Sequence, residues 1–197
     1  VCPNQVERKN AMFKLFKRND RTAFQPFSSP FVASGKVILT PRQVSYFEIS
    51  ILQDAGTDFP TTHSHRNPDL SDCVAIGLST KSFRCHTRMP GWDEHSYGYH
   101  GDDGGIFHAS GDMLKRFGPS FGKGDTIGCG IDFLAGAIFF TLNGKFLGYG
   151  WKNLNDLSSK ELYPTVGIDS NAPVECNFGQ SNFKFDLCAF IEKQKNP

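Results

Sequence analysis

The stretch Thr126–Tyr149 leaves little freedom in local structure. Ile127-Gly-Cys-Gly-Ile-Asp-Phe133 reads as a strand, Leu134-Ala-Gly136 as a tight turn and Ala137-Ile-Phe-Phe-Thr-Leu142 as a second strand. Asn143-Gly144 follows, the dipeptide best suited to a two-residue hairpin because both central positions need positive φ. Lys145-Phe-Leu-Gly-Tyr149 then completes an antiparallel meander.

Other segments repeat the pattern. Tyr46-Phe-Glu-Ile-Ser-Ile51 alternates, placing Phe47, Ile49 and Ile51 on one face. Cys73–Ser79, Tyr97–His100, Tyr163–Ile168 and Val174–Phe178 are further short strands. Residues 53–72 are polar, carry Gly56, Pro60 and Pro68, and read as a long loop, while 80–96 read as a connection. Nineteen Phe, twenty Gly and eleven Pro agree with strands and turns rather than helices. The expectation is an all-β, two-layer antiparallel sandwich with short helical or irregular segments at its ends. No internal repeat or low-complexity tract appears.

Residues 1–29 differ in character. Met12, Phe13, Leu15 and Phe16 lie near helical spacing among cations, which suggests a short amphipathic helix or a clamp over the domain. The apolar stretch is too short to favour a membrane-surface helix. The run Ile131–Leu142 is broken by Asp132 and Gly136, far short of the roughly 20 apolar residues of a membrane span. With 21 basic and 20 acidic residues, the chain has no global field to attract nucleic acid or an anionic membrane. Cysteines at 2, 73, 85, 129, 176 and 188 show no CxxC spacing and fall partly inside apolar strands, so reduced, intracellular thiols are expected. No leader is visible, and the initial Val1 suggests a piece of a longer protein.

The window Met89–Gly105 has the look of chemistry, with two histidines, four acidic residues, three aromatics and five glycines. Its parts resist that reading. His100 with Asp102-Asp103 suggests acid–base work or a calcium site, but Asp-Gly sequences also satisfy their own turns. Ser96 beside His95 lacks a G-x-S-x-G elbow. His63, His65, Cys73, Cys85 and His86 could supply zinc ligands, yet match no standard spacing. No phosphate loop is present, and Gly122-Lys-Gly124 is a turn. Trp92 and Tyr97, with Asp93 and His95 nearby, could instead stack on a sugar as in a sandwich lectin. We expect no catalysis, metal or cofactor.

Several motifs occur in a telling order. They are Tyr46-Phe-Glu48, Ile76-Gly-Leu78, Met89-Pro-Gly-Trp92, Ser96-Tyr-Gly-Tyr-His-Gly-Asp-Asp-Gly104, Phe117-Gly-Pro119, Gly124-Asp125, Asn143-Gly144, Leu162-Tyr-Pro164 and Asn177-Phe-Gly-Gln180. Together they resemble a SPRY domain, and more narrowly the RanBPM-type branch, over roughly residues 30–190. The expected division is an extension over 1–29, the domain over 30–190 and a tail over 191–197. The resemblance implies a bent β-sandwich without catalytic activity that presents loops to short linear motifs of other proteins. It further implies a scaffold or substrate-receptor part in a multi-subunit ubiquitin ligase of the GID/CTLH type, located in the cytoplasm, the nucleus or both. The family's LisH and CTLH modules are absent from this sequence.

A peptide site needs apolar anchors and polar groups for the peptide backbone. Three segments are candidates. The first is Pro30–Lys36, where the family's first binding loop should lie, with Val32, Ala33, Ser34 and Lys36. It lacks the arginine that the resemblance implies there. The second is Met89, Pro90, Gly91 and Trp92, a turn carrying one large aromatic that is either a binding anchor or core. The third is Asp169, Ser170 and Asn171, a polar turn before Pro173. Tyr97 shares a strand face with Tyr99 and is expected at the floor of the site or in the core.

Overall fold

The computed structural model describes residues 14–17, 43–53, 73–155, 157, 160–170 and 172–195. Among these, the strands are β1 (Lys14–Lys17), β2 (Val44–Ile51), β3 (Cys73–Ser79), β4 (Ser96–His100), β5 (Gly105–His108), β6 (Lys115–Arg116), β7 (Thr126–Asp132), β8 (Ala137–Leu142), β9 (Lys145–Trp151), β10 (Tyr163–Asp169) and β11 (Val174–Asn177). One helix, α1 (Leu187–Lys195), follows them. They form two sheets, ordered β1-β10-β3-β4-β5-β6 and β11-β2-β7-β8-β9. Every pairing is antiparallel except that of β1 with β10.

Alternation decides what lies between the sheets. Phe47, Ile49, Ile127, Cys129, Ile131, Ile138 and Phe140 of one sheet meet Val74, Ile76, Leu78, Tyr97, Tyr99, Ile106 and Val166 of the other in one core. Rings join the layers, with Tyr99 5.2 Å from Phe140 and Tyr97 5.1 Å from Trp151 between centroids. The β8–β9 turn takes the expected form, with φ of 50° at Asn143 and 79° at Gly144. Asn143 Oδ1 accepts the Thr126 amide at 3.0 Å, which ties the turn to the start of β7.

Both outer faces are covered too, so β3, β4 and β7 are buried along their whole length. On the β2–β7–β8 sheet the cover is the C-terminal segment. Phe185, Leu187 and Ile191 pack on Val44, Tyr46 and Phe139, with Phe183 and Phe190 at the margin. Glu48 is the polar anchor of this cover. It is buried and accepts the Lys184 amide, the Phe185 amide and the Tyr46 hydroxyl, each at 2.9 Å. These bonds compensate a carboxylate that would otherwise be costly to bury.

Several expectations are corrected here. At residues 14–17 the backbone is strand, added to β10 in parallel, and not helix. The helix α1 begins at Leu187 and is the expected short helical segment near the C-terminal end. Cys73, Cys85, Cys129 and Cys176 are free thiols as expected, but Cys188 is disulfide-bonded. Short β5 and β6 were not foreseen.

Candidate functional site

The outer face of the β10–β3–β4–β5 sheet carries a floor of small residues. Gly77 lies opposite Gly98, and Gly167 opposite Ala75. The turn Met89–Trp92 lies flat on this floor. A Cβ on Gly98 would come within 2.0 Å of the Pro90 carbonyl oxygen, and one on Gly167 within 2.6 Å of Pro90 Cδ and 2.8 Å of Met89 Sδ. Such close approach of two backbones requires glycine. Gly91 has φ of 94° and sits against Phe107, so it too is confined to glycine.

Polar anchors hold the turn in place. His100 Nε2–H donates to the Pro90 carbonyl at 2.8 Å, and the Gly91 amide donates to Ser96 Oγ at 2.8 Å. Ser96 Oγ–H in turn donates to Asp93 Oδ1 at 3.0 Å, and that same oxygen accepts the His95 amide at 3.0 Å. Arg88 Nη1 donates to the Trp92 carbonyl at 2.9 Å, and the Trp92 amide closes the turn on the Met89 carbonyl. His100 is sandwiched, its ring stacked at 4.0 Å on Phe107 and tilted at 6.3 Å from Trp92. Burial lowers its pKa, so the ring is held neutral as a donor to Pro90.

The arrangement sorts the expected site residues. Trp92 is 36% exposed, so it is a surface aromatic and not a core anchor. Pro90 and Gly91 are buried and hold the turn, and Met89 is half-buried over β10. Asp169 lies two residues beyond Gly167 on the same face of β10, opposite Cys73. Ser170 Oγ accepts the Ala172 amide and shapes the turn into β11. Tyr97 is corrected. It is 5% exposed and belongs to the inter-sheet core, stacked on His108 at 4.1 Å. Val32, Ala33, Ser34, Lys36 and Asn171 lie outside the described residues. The reading of the sequence missed Ser96, His100, Gly98 and Gly167 as supports of this turn. Only the strand register aligns them.

The catalytic alternatives lose their geometry. Ser96 is fully buried and bonded to Asp93, not to a histidine that could activate it. Asp103 Oδ1 accepts the Gly105 amide at 2.7 Å, the expected turn closure. Asp93 is committed to its own turn and Tyr97 to the core, which leaves the sugar-stacking pair without its second ring and acidic partner. Cys73 Sγ–H donates to Asp102 Oδ1 at 3.2 Å, and burial together with that carboxylate pushes the thiol up to about 12. A separate cavity of about 260 Å³ is lined by Phe133, Leu134, Gly136, Asn153, Leu154 and Leu157, with no titratable group among them.

The SPRY domain family model matches residues 65–181. This chain belongs to the SPRY domain family. It is 48% identical over 150 residues to a protein described as a Ran-binding proteins 9/10 homolog of Drosophila melanogaster, covering 76% of this chain and 14% of that protein. It is 44% identical over 145 residues to human Ran-binding protein 9, covering 73% of this chain and 17% of the relative. A Ran-binding protein M homolog of Arabidopsis thaliana is 39% identical over 152 residues, covering 77% of this chain and 28% of that protein. The RanBPM-type resemblance thus holds, over a small part of each relative's length. A crystal structure of a human SPRY domain superposes with a TM-score of 0.53 at 27% identity, covering 71% of this chain and 78% of that one. Among the described residues, no helix is long and apolar enough to cross a membrane.

Proposed function

We propose that this SPRY domain is a non-enzymatic interaction module that binds short linear motifs of partner proteins on the face around Met89–Trp92 and Asp169–Ser170. The observation that carries the reading is Trp92, an exposed indole on a turn fixed from below by His100 and Ser96. Aromatic anchors held rigidly contribute much of the affinity at such surfaces, since little conformational freedom is lost on binding. Val32, Ala33, Ser34, Lys36 and Asn171 complete the proposed site, within a domain taken as residues 30–190 flanked by 1–29 and 191–197. The similarity to Ran-binding proteins 9 and 10 supports a finer reading. In it, the module is the scaffold or substrate-receptor part of a GID/CTLH-type ubiquitin ligase in the cytoplasm, the nucleus or both.

The test is a peptide-library capture with the wild-type chain and Trp92→Ala, sequenced after washing. The variant should stay folded by circular dichroism and lose the enriched motif, with affinity down by about 30-fold or more, equivalent to a hot-spot loss of ~2 kcal/mol. Equal enrichment by a folded variant removes Trp92 from the site. Capture of glycans instead of peptides would overturn the proposal.

A further inference from the structure

The strand register gathers one further cluster. β3 and β4 pair with Ala75 opposite His100, so continuing the register by two residues brings Cys73 opposite Asp102. Cys73, His100 and Asp102 thus share the outer face at one end of the strand pair. One ligand atom from each lies within 4.8 Å of the others. Cys73 and His100 are each 3% exposed, whereas Asp102 is open to solvent and gives an ion a way in.

We propose that Cys73, His100 and Asp102 form a site for a divalent transition ion of the zinc or cobalt type, with water as fourth ligand. A thiol and an imidazole select such ions over magnesium or calcium, which prefer all-oxygen shells. Three protein ligands and one water complete a tetrahedron. Bonds of about 2.0–2.3 Å separate the ligand atoms of such a tetrahedron by about 3.3–3.8 Å. Cys73 Sγ and Asp102 Oδ1 already stand 3.2 Å apart. A contraction of up to about 1.5 Å from the 4.8 Å limit closes the remainder. His100 has the outer support that metal-bound histidines use. Its Nε2–H donates to the Pro90 carbonyl, which fixes the ring and leaves Nδ1 as the nitrogen for ligation. The ion takes the place of the thiol proton that now bridges Cys73 and Asp102. Of the residues weighed from the sequence as zinc ligands, Cys73 is part of this cluster and Cys85 and His86 are not, while His63 and His65 lie outside the described residues.

Cobalt(II) titration of the reduced 197-residue chain tests the assignment. The expected result is one equivalent bound, with a near-ultraviolet sulfur-to-cobalt band and the visible bands of a tetrahedral site, both bleached by zinc. Cys73→Ala abolishes the sulfur band. Asp102→Asn alters an exposed residue and weakens binding by about 10- to 100-fold, at least the loss seen when an outer-shell partner is removed. Bound cobalt also quenches Trp92, whose ring lies 6.3 Å from that of His100, and Trp92→Phe removes the quenching while keeping the absorption bands. The absence of a sulfur band in folded protein overturns the proposal. So does a band that survives Cys73→Ala, or an affinity that Asp102→Asn leaves unchanged.

Discussion

Gly98→Ala is the most informative single change, because it acts on the seat of the Met89–Trp92 turn without touching the inter-sheet core. The new methyl would stand 2.0 Å from the Pro90 oxygen and 2.5 Å from its carbonyl carbon. The obstacle is backbone, so the turn has to lift by at least about 1 Å before the contact is tolerable. That lift stretches the 2.8 Å bonds from His100 to Pro90 and from Gly91 to Ser96 past about 3.2 Å, the limit of a normal N–H···O bond. Each buried polar group left without its partner costs about 1–3 kcal/mol. Two broken bonds therefore give a loss of about 2–6 kcal/mol, against a gain of about 0.4–1 kcal/mol from stiffening the unfolded chain. Guanidinium denaturation, followed by Trp emission, measures the loss, with the slope of the transition unchanged. Gly111→Ala is the control, since a Cβ there meets nothing within 4 Å. A loss below about 1 kcal/mol for Gly98→Ala, with the Trp92 emission unaltered, would refute the claim that the turn is seated on glycine.

Glu48→Ala leaves the Lys184 and Phe185 amides without their acceptor while Tyr46 keeps its 2.7 Å bond to Thr141. A loss of about 3–5 kcal/mol and increased dye binding by the uncovered apolar face are expected, checked by denaturation and by a hydrophobic-dye titration. Alkaline stability follows from three tyrosines. Burial raises the phenol of Tyr46, with the Glu48 charge adding to it, that of Tyr99, with Asp103, and that of Tyr149, with Asp132, the last to about 12. From pH 10, the ordinary phenol value, to about 12 the unfolded chain gives up protons that the folded chain keeps. The tyrosine contribution is therefore fully present below pH 10 and is lost as pH rises through this window, with a shallower fall in Tyr46→Phe, as urea midpoints across the range will show.

The parts of the fold legible in the sequence are those where one residue's neighbours in the chain decide its face. Phe47, Ile49 and Ile51 alternate and reach the core, and Asn143-Gly144 makes its turn whatever surrounds it. Strand β9 was harder, because register shifts opposite Ile138–Phe139 and Phe140–Thr141 break its alternation. Leu147 and Trp151 thus pack inward, while Tyr149 joins the outer cluster. Glu48 reads in the alternation as a solvent-facing charge. It is buried because a segment more than 130 residues away folds over it. The same limit applies to the site. Gly98 and Gly167 belong to separate stretches of sequence, and nothing within either stretch says that one proline will rest on both. Trp92 was singled out from its turn chemistry, but whether it faced inward depended on that distant floor.

The two covered faces differ in a way that bears on the proposed recognition surface. The β2–β7–β8 face is closed by Phe185, Leu187 and Ile191, which bury apolar side chains against Tyr46 and Phe139. Opening that cover would expose a hydrophobic surface, at roughly 25 cal/mol for each Å². The opposite face is closed by a short turn whose grip is directional, through His100, Ser96 and the close backbone contacts at Gly98 and Gly167. A directional grip fixes position with few side chains, so the turn can place its largest residue, Trp92, outward without loosening the seat. An apolar cover has no such freedom, because its large residues are the grip. A rigid exposed aromatic therefore arises naturally on the glycine-floored face, where sheet, histidine and serine do the holding and the indole is left free for the proposed recognition.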